Sequence, residues 1–149
     1  MNPFRKCFRY PHVVLPVIHV ETQVQAMRNA ELAREADADG VFLINHGMSS
    51  RELLDIHTVV TEMFPEWWVG VNCLDLAPAA VFSFITSRVH GVWTDNAMIR
   101  EDQREQSAAA AVLEARQRSG WSGLYFGGVA FKERSAGGLS IGDCQRNQT

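Results

Sequence analysis

Several shortages in this 149-residue chain each remove a class of protein from consideration. Its three cysteines, Cys7, Cys73 and Cys144, are odd in number and far apart, with no CxxC pair. That argues against a disulfide framework and fits a reduced, cytoplasmic setting. No apolar run approaches the ~20 residues that a membrane helix needs, and no secretory apolar segment is visible. Charge of either sign is not in excess: 14 basic against 17 acidic side chains leave a formal net charge of −3. There is thus no electrostatic reason to expect nucleic acid or an acidic membrane surface as partner. Neither GxGxxG nor GxxxxGK(S/T) occurs, so the sequence names no cofactor. HxH and HExxH are missing too. His19, His46, Asp75 and Asp95 are acceptable ligand types for a divalent ion, but no spacing supports a metal site.

What the chain does have is a repeat. Trp67 to Asp75 is a short apolar run that turns polar at its end. Pro16 to Glu21, Gly40 to His46, Gly91 to Asn96 and Gly123 to Lys132 do the same. Continuous apolar runs of this length read as strands covered on both faces. Helical stretches separate them. Glu21 to Ala38 sets Ala26, Ala30 and Ala33 on one face, small enough to lie close on a sheet. Ser49 to Phe64 opens on a capping box, with Ser49 and Glu52 as reciprocal partners. Ala79 to Ser87 follows Pro78, a residue suited to a first turn. Glu101 to Gln117 is rich in alanine and closed by Gly120.

This spacing predicts an α/β domain of five parallel strands and four helices over residues 13–132. It is preceded by an arm at 1–12, where Arg5, Lys6 and Arg9 form a small solvated basic cluster. It is followed by a poorly ordered tail at 133–149, where no apolar period survives. Two architectures fit: a partial (β/α)8 (TIM) barrel and a flavodoxin-like open parallel sheet.

In either architecture ligands meet the carboxyl ends of the strands. That rule selects His19, Glu21, Asn45, His46, Asn72, Asp75, Asp95, Asn96 and Lys132. An imidazole and carboxylates converging there suit general acid/base work on a carbonyl or glycosidic centre, with His19 and Asp95 as the catalytic pair. Lys132 suits a Schiff base or an anion contact. Asn45, His46, Asn72, Asp75 and Asn96 are the substrate-binding candidates. Asp and Asn at strand exits also cap helices and hold turns, and Asp75 is placed for that role as well. Cys73 reads as a small buried filler, with a thiol nucleophile as the alternative. His57, in mid-helix, reads as structural. Gly127-Gly128 reads as close packing at a strand end, with backbone approach to a phosphate as the alternative.

His19 near the first strand exit, Asn45-His46 after Gly40-Val41, Gly70 to Asp75, Thr94-Asp95-Asn96 and Phe131-Lys132 together resemble the BtpA family. The resemblance covers about residues 11–132. It implies a TIM-type barrel that binds or transforms a sugar-phosphate or nucleoside-like small molecule. The family's founding member is associated with photosystem I assembly, which implies a non-enzymatic assembly or stability factor as the alternative. A family barrel continues with three more β/α units, and their loops commonly build a phosphate site. Here residues 133–149 stand in their place, as truncation would leave them, so an inactive shortened product is a third expectation. Open strand edges in such a chain predict self-association.

Overall fold

The apolar runs become strands because one of their faces meets helices and the other meets aromatic rings. The structure is a computed structural model that describes residues 2–99 and 106–128. Its strands are β1 (Val17–Val20), β2 (Gly40–Asn45), β3 (Trp68–Asn72), β4 (Gly91–Thr94) and β5 (Leu124–Gly127). They form one parallel sheet in the order β1-β2-β3-β4-β5, each strand beside its neighbour in sequence. Pro16, which has no N–H to donate, stands just before β1, and its carbonyl accepts the Phe42 N–H at 2.9 Å.

Among the described residues four α-helices accompany the sheet: α1 (Pro3–Cys7), α2 (Gln23–Glu35), α3 (Ser50–Met63) and α4 (Ser107–Ser119). The expected capping box opens α3: the Ser49 hydroxyl accepts the Glu52 N–H, and the Glu52 carboxylate accepts the Ser49 N–H. At the far end of α4, Gly120 adopts φ 70°, the left-handed conformation that closes a helix cheaply only with glycine. Residues 101–105 of the helix expected there lie outside the described residues, as do Lys132, Cys144 and the whole 133–149 tail.

Alternation along the strands sorts their side chains onto two faces. Ile18, Val20, Val41, Leu43, Val69, Val71 and Val92 pack with α2, α3 and α4 in the larger core. Ala26 and Ala30 of α2 are fully buried in it, as their small size foretold. The opposite face carries Phe42, Trp68, Trp93, Leu124 and Phe126 in a second core. Gly40, Gly70 and Gly91 lie on this aromatic face and make room for the Trp68 indole. A Cβ on Gly70 would stand 2.6 Å from Phe42 Cε1 and 2.7 Å from Trp68 Cη2.

Two segments depart from expectation. The helix expected over 79–87 is only a 3-10 turn, Val81–Ser83. The stretch is short and dominated by β-branched, aromatic and serine residues, which pay for helix nucleation poorly. Val81 and Phe82 instead bury themselves, with the Phe82 ring 5.8 Å from Trp121 and 5.6 Å from Tyr125. The segment expected as an arm contains α1, started by Asn2, whose Oδ1 accepts the Phe4 N–H at 2.9 Å. Its Phe8 is buried against Phe4 and Trp68, so the segment covers the aromatic face near the strands' amino ends.

Candidate functional site

His19, Asn72 and Asp95 fall on the aromatic face by strand alternation, and His46 joins them one residue past β2. All stand at the carboxyl ends of four successive strands. The His19 and His46 rings stack with centroids 4.7 Å apart and planes at 23°. The Asn72 Nδ2 donates to Asp95 Oδ1 at 2.8 Å. Asn72 is buried, whereas His19, His46 and Asp95 are exposed. Ile44 is paired in register with both His19 and Asn72, so its buried side chain lies between the two polar pairs. Beneath them the Phe42 ring meets Trp93 at 5.8 Å and Phe126 at 5.4 Å, both edge-to-face. The result is a polar rim over an aromatic floor.

Local backbone contacts hold the rim. Gln25, in the first turn of α2, donates from Nε2 to the His19 carbonyl at 3.0 Å and accepts the Glu21 N–H at 3.2 Å. Gly47 follows His46 at φ 73°, a conformation that a side chain would strain. After Asp95, the Asn96 Oδ1 accepts the Met98 N–H at 2.8 Å, so Asn96 holds a turn rather than facing the rim.

Asn45 and Asp75 do not join the aromatic face. Asn45 alternates to the helix side and is 3% exposed. Its Nδ2 donates to Asp75 Oδ1 at 2.7 Å and to the Met48 carbonyl at 2.9 Å, and its Oδ1 accepts the Leu74 N–H at 2.8 Å. Asp75 Oδ2 also accepts the Ser50 N–H at 3.1 Å, and Oδ1 accepts the Ser50 hydroxyl. Burial works against the Asp75 charge, but these donors hold its carboxyl below the usual carboxylate range. Asp75 therefore caps the start of α3, and Asn45 ties the β2 and β3 exits together. Asp75→Ala strands the buried Ser50 and Asn45 donors and is expected to cost about 1–3 kcal/mol of stability, read by urea unfolding.

Cys73 is buried, and burial pushes its thiol upward, away from the thiolate a nucleophile needs. Gly127 and Gly128 serve close packing: a Cβ on Gly128 would collide with the Asp95 carbonyl, and one on Gly127 would stand 2.6 Å from Ala97 Cβ. Gly128 also closes the β4–β5 pairing, its N–H donating to the Thr94 carbonyl at 2.8 Å. Among the described residues no three His, Cys, Asp or Glu side chains gather as a metal cluster would.

Three features escaped the sequence reading. Ser50 is the partner that fixes Asp75, across 25 residues of sequence that carry no local signal for it. His57, already expected to be structural, and His90 both bond the Val69 backbone. His57 Nε2 lies 3.2 Å from the Val69 carbonyl, so that nitrogen carries the donor hydrogen. The Val69 N–H donates to His90 Nδ1 at 3.0 Å, so His90 holds its hydrogen on Nε2. Finally, the Trp68 Nε1 is buried without a hydrogen-bond partner, the one such side-chain atom among the described residues.

Fold and rim together define an α/β protein, with one parallel five-stranded sheet among the described residues and polar side chains gathered at its carboxyl edge. No protein-family model, no curated protein and no solved structure matches the chain. None of its described helices is long and apolar enough to cross a membrane.

Proposed function

We propose that this chain is a TIM-type β/α protein of the BtpA kind that binds, and with His19 and Asp95 transforms, a sugar-phosphate or nucleoside-like small molecule. The observation behind this reading is the placement of His19, His46, Asn72 and Asp95 on one sheet face above Phe42, Trp93 and Phe126. Small-molecule sites pair an apolar surface with a few convergent polar groups. A sugar ring offers C–H faces to aromatic rings and hydroxyls to a carboxylate and an amide, and a nucleobase stacks on the same floor. An imidazole and a carboxylate facing one ligand supply the proton acceptor and donor that carbonyl or glycosidic chemistry needs.

Two features favour the barrel over the flavodoxin-like sheet. The strand order follows the sequence without the interchange of the first two strands that a flavodoxin-like sheet shows. In addition α2, α3 and α4 all contribute to the core on one face, as a singly wound barrel requires.

A thermal-shift screen of phosphorylated sugars and nucleosides tests the function. The expected result is a rise in melting temperature with at least one member of the panel, abolished by Asp95→Ala. No shift across the panel, or a shift that survives Asp95→Ala and His19→Ala together, contradicts it. The same reading extends to self-association, because β1 and β5 each have one hydrogen-bonded neighbour among the described residues. Sedimentation equilibrium is expected to show a dimer whose population grows with concentration, and a monomer at every concentration speaks against it.

A further inference from the structure

Neither exposed imidazole of the stacked pair has a hydrogen-bond partner among the described residues, although their neighbours do. Asn72 and Asp95 bond each other, and Gln25 takes up the backbone beside His19. Among the described residues the two rings meet each other in a stack, 4.7 Å between centroids. Two imidazoles stacked from the exits of adjacent strands gather ring nitrogens, with no hydrogen-bond partner among the described residues, at one end of the rim. The pair across the rim has opposite chemistry. Asp95 accepts from Asn72 with one carboxylate oxygen, which orients the carboxylate, and its other oxygen has no hydrogen-bond partner among the described residues.

Resting on the small-molecule reading above, we propose that the site has a fixed polarity. His19 and His46 form a phosphate subsite at the β1–β2 end, and Asn72 with Asp95 forms a hydroxyl subsite at the β3–β4 end. Neighbouring strands lie ~5 Å apart, so the centres of the two subsites, two strand spacings from each other, stand roughly 10 Å apart. That matches the distance from a phosphate ester to the distal hydroxyls of a pentose or hexose lying across Ile44. The ligand class is a sugar monophosphate held lengthwise along the rim. A phosphate in the opposite orientation would face the Asp95 carboxylate, and that repulsion selects the direction. Glu21, exposed two residues beyond His19, is the one acidic side chain close in sequence to the phosphate end, and its charge loosens the grip on an anion.

Isothermal titration calorimetry of the full chain with ribose 5-phosphate, ribose and inorganic phosphate separates the possibilities. His19→Asn and His46→Asn are each expected to weaken ribose 5-phosphate and phosphate about tenfold, the loss of a hydrogen bond to a charged group, and to leave ribose unchanged. Asp95→Asn is expected to weaken ribose and ribose 5-phosphate while phosphate binding holds or improves. Glu21→Gln is expected to tighten phosphate. Thermal unfolding of each variant confirms that these surface changes leave the fold intact. Ribose 5-phosphate binding that responds to Asp95→Asn but to neither histidine change overturns the phosphate subsite and leaves the small-molecule site standing. Equal weakening of ribose and ribose 5-phosphate by the histidine changes also overturns the assigned polarity. No binding of any of the three probes overturns the subsite and the site together.

Discussion

Lowering the pH from 7 to 4 is expected to cost the fold about 3 kcal/mol through His57 alone. The ring is 1% exposed, and burial pushes its pKa down to about 4, only partly offset by its bond to the Val69 carbonyl. His90 and Arg88 add a smaller repulsion in the same direction. In the folded chain His57 is thus neutral down to about pH 4, whereas in the unfolded chain it takes up a proton near its ordinary value of 6.5. Above that value neither state is charged and the contribution is complete. As the pH falls the unfolded state binds the proton first, and stability drains away until the folded pKa is reached. His90 acts with the same sign, because burial lowers its pKa too and its Nδ1 must stay free to accept the Val69 N–H. Urea unfolding at a series of pH values should show the free energy falling between pH 6.5 and 4. His57→Gln keeps a donor for Val69 and removes the titration, so it should flatten the curve. A wild-type curve level across that window contradicts the assignment.

Trp68→Ala is expected to be the most damaging single truncation in the aromatic face, at about 3–5 kcal/mol. The indole is 6% exposed and meets Phe8 at 5.5 Å, Phe42 at 5.0 Å and Phe126 at 6.0 Å. Its removal uncouples α1 from the sheet as well as opening a cavity. Trp68→Phe should cost far less. It retains a ring and discards the buried Nε1–H, whose lack of a partner already carries a penalty of about 1–3 kcal/mol. The glycines around the indole give a second handle. Gly91→Ala alone should destabilise by about 1–3 kcal/mol, because the new Cβ enters the space of the indole's six-membered ring. In the Trp68→Phe background that cost should shrink, since a benzyl group is shorter. A double-mutant cycle reads the coupling, and strictly additive effects would show that Trp68 does not fill the Gly91 site.

The strands were legible in the sequence because a run buried on both faces leaves an unbroken apolar signature. Val41 to Ile44 and Trp68 to Val71 are such runs, and β2 and β3 are buried throughout. Chain ends and junctions were harder to read. Phe82 and Phe84 look alike in sequence, yet one is buried and the other is exposed on a segment that forms only a 3-10 turn. Nothing local says that Phe8 will find Trp68, sixty residues away. The rim was legible in part. The strand-exit rule picked out His19, His46, Asn72 and Asp95 together with Asn45 and Asp75, but it is blind to which face a terminal residue takes. One residue of phase sends Asn45 to the helices and Asn72 to the aromatic side. Ser50 then turned Asp75 from a ligand candidate into a helix cap, through a contact that sequence spacing does not encode.

That difference of phase gives the sharpest test of the site. Asn45 and Asn72 carry side-chain amides on opposite faces at the same end of the sheet, and each amide can be followed by its N–H groups in a nitrogen–proton correlation spectrum. Titration with ribose 5-phosphate should shift the Asn72 amide, with the Asn45 amide staying in place. Movement of Asn45 without Asn72, or no movement of either at saturating ligand, would contradict a binding site on the aromatic face.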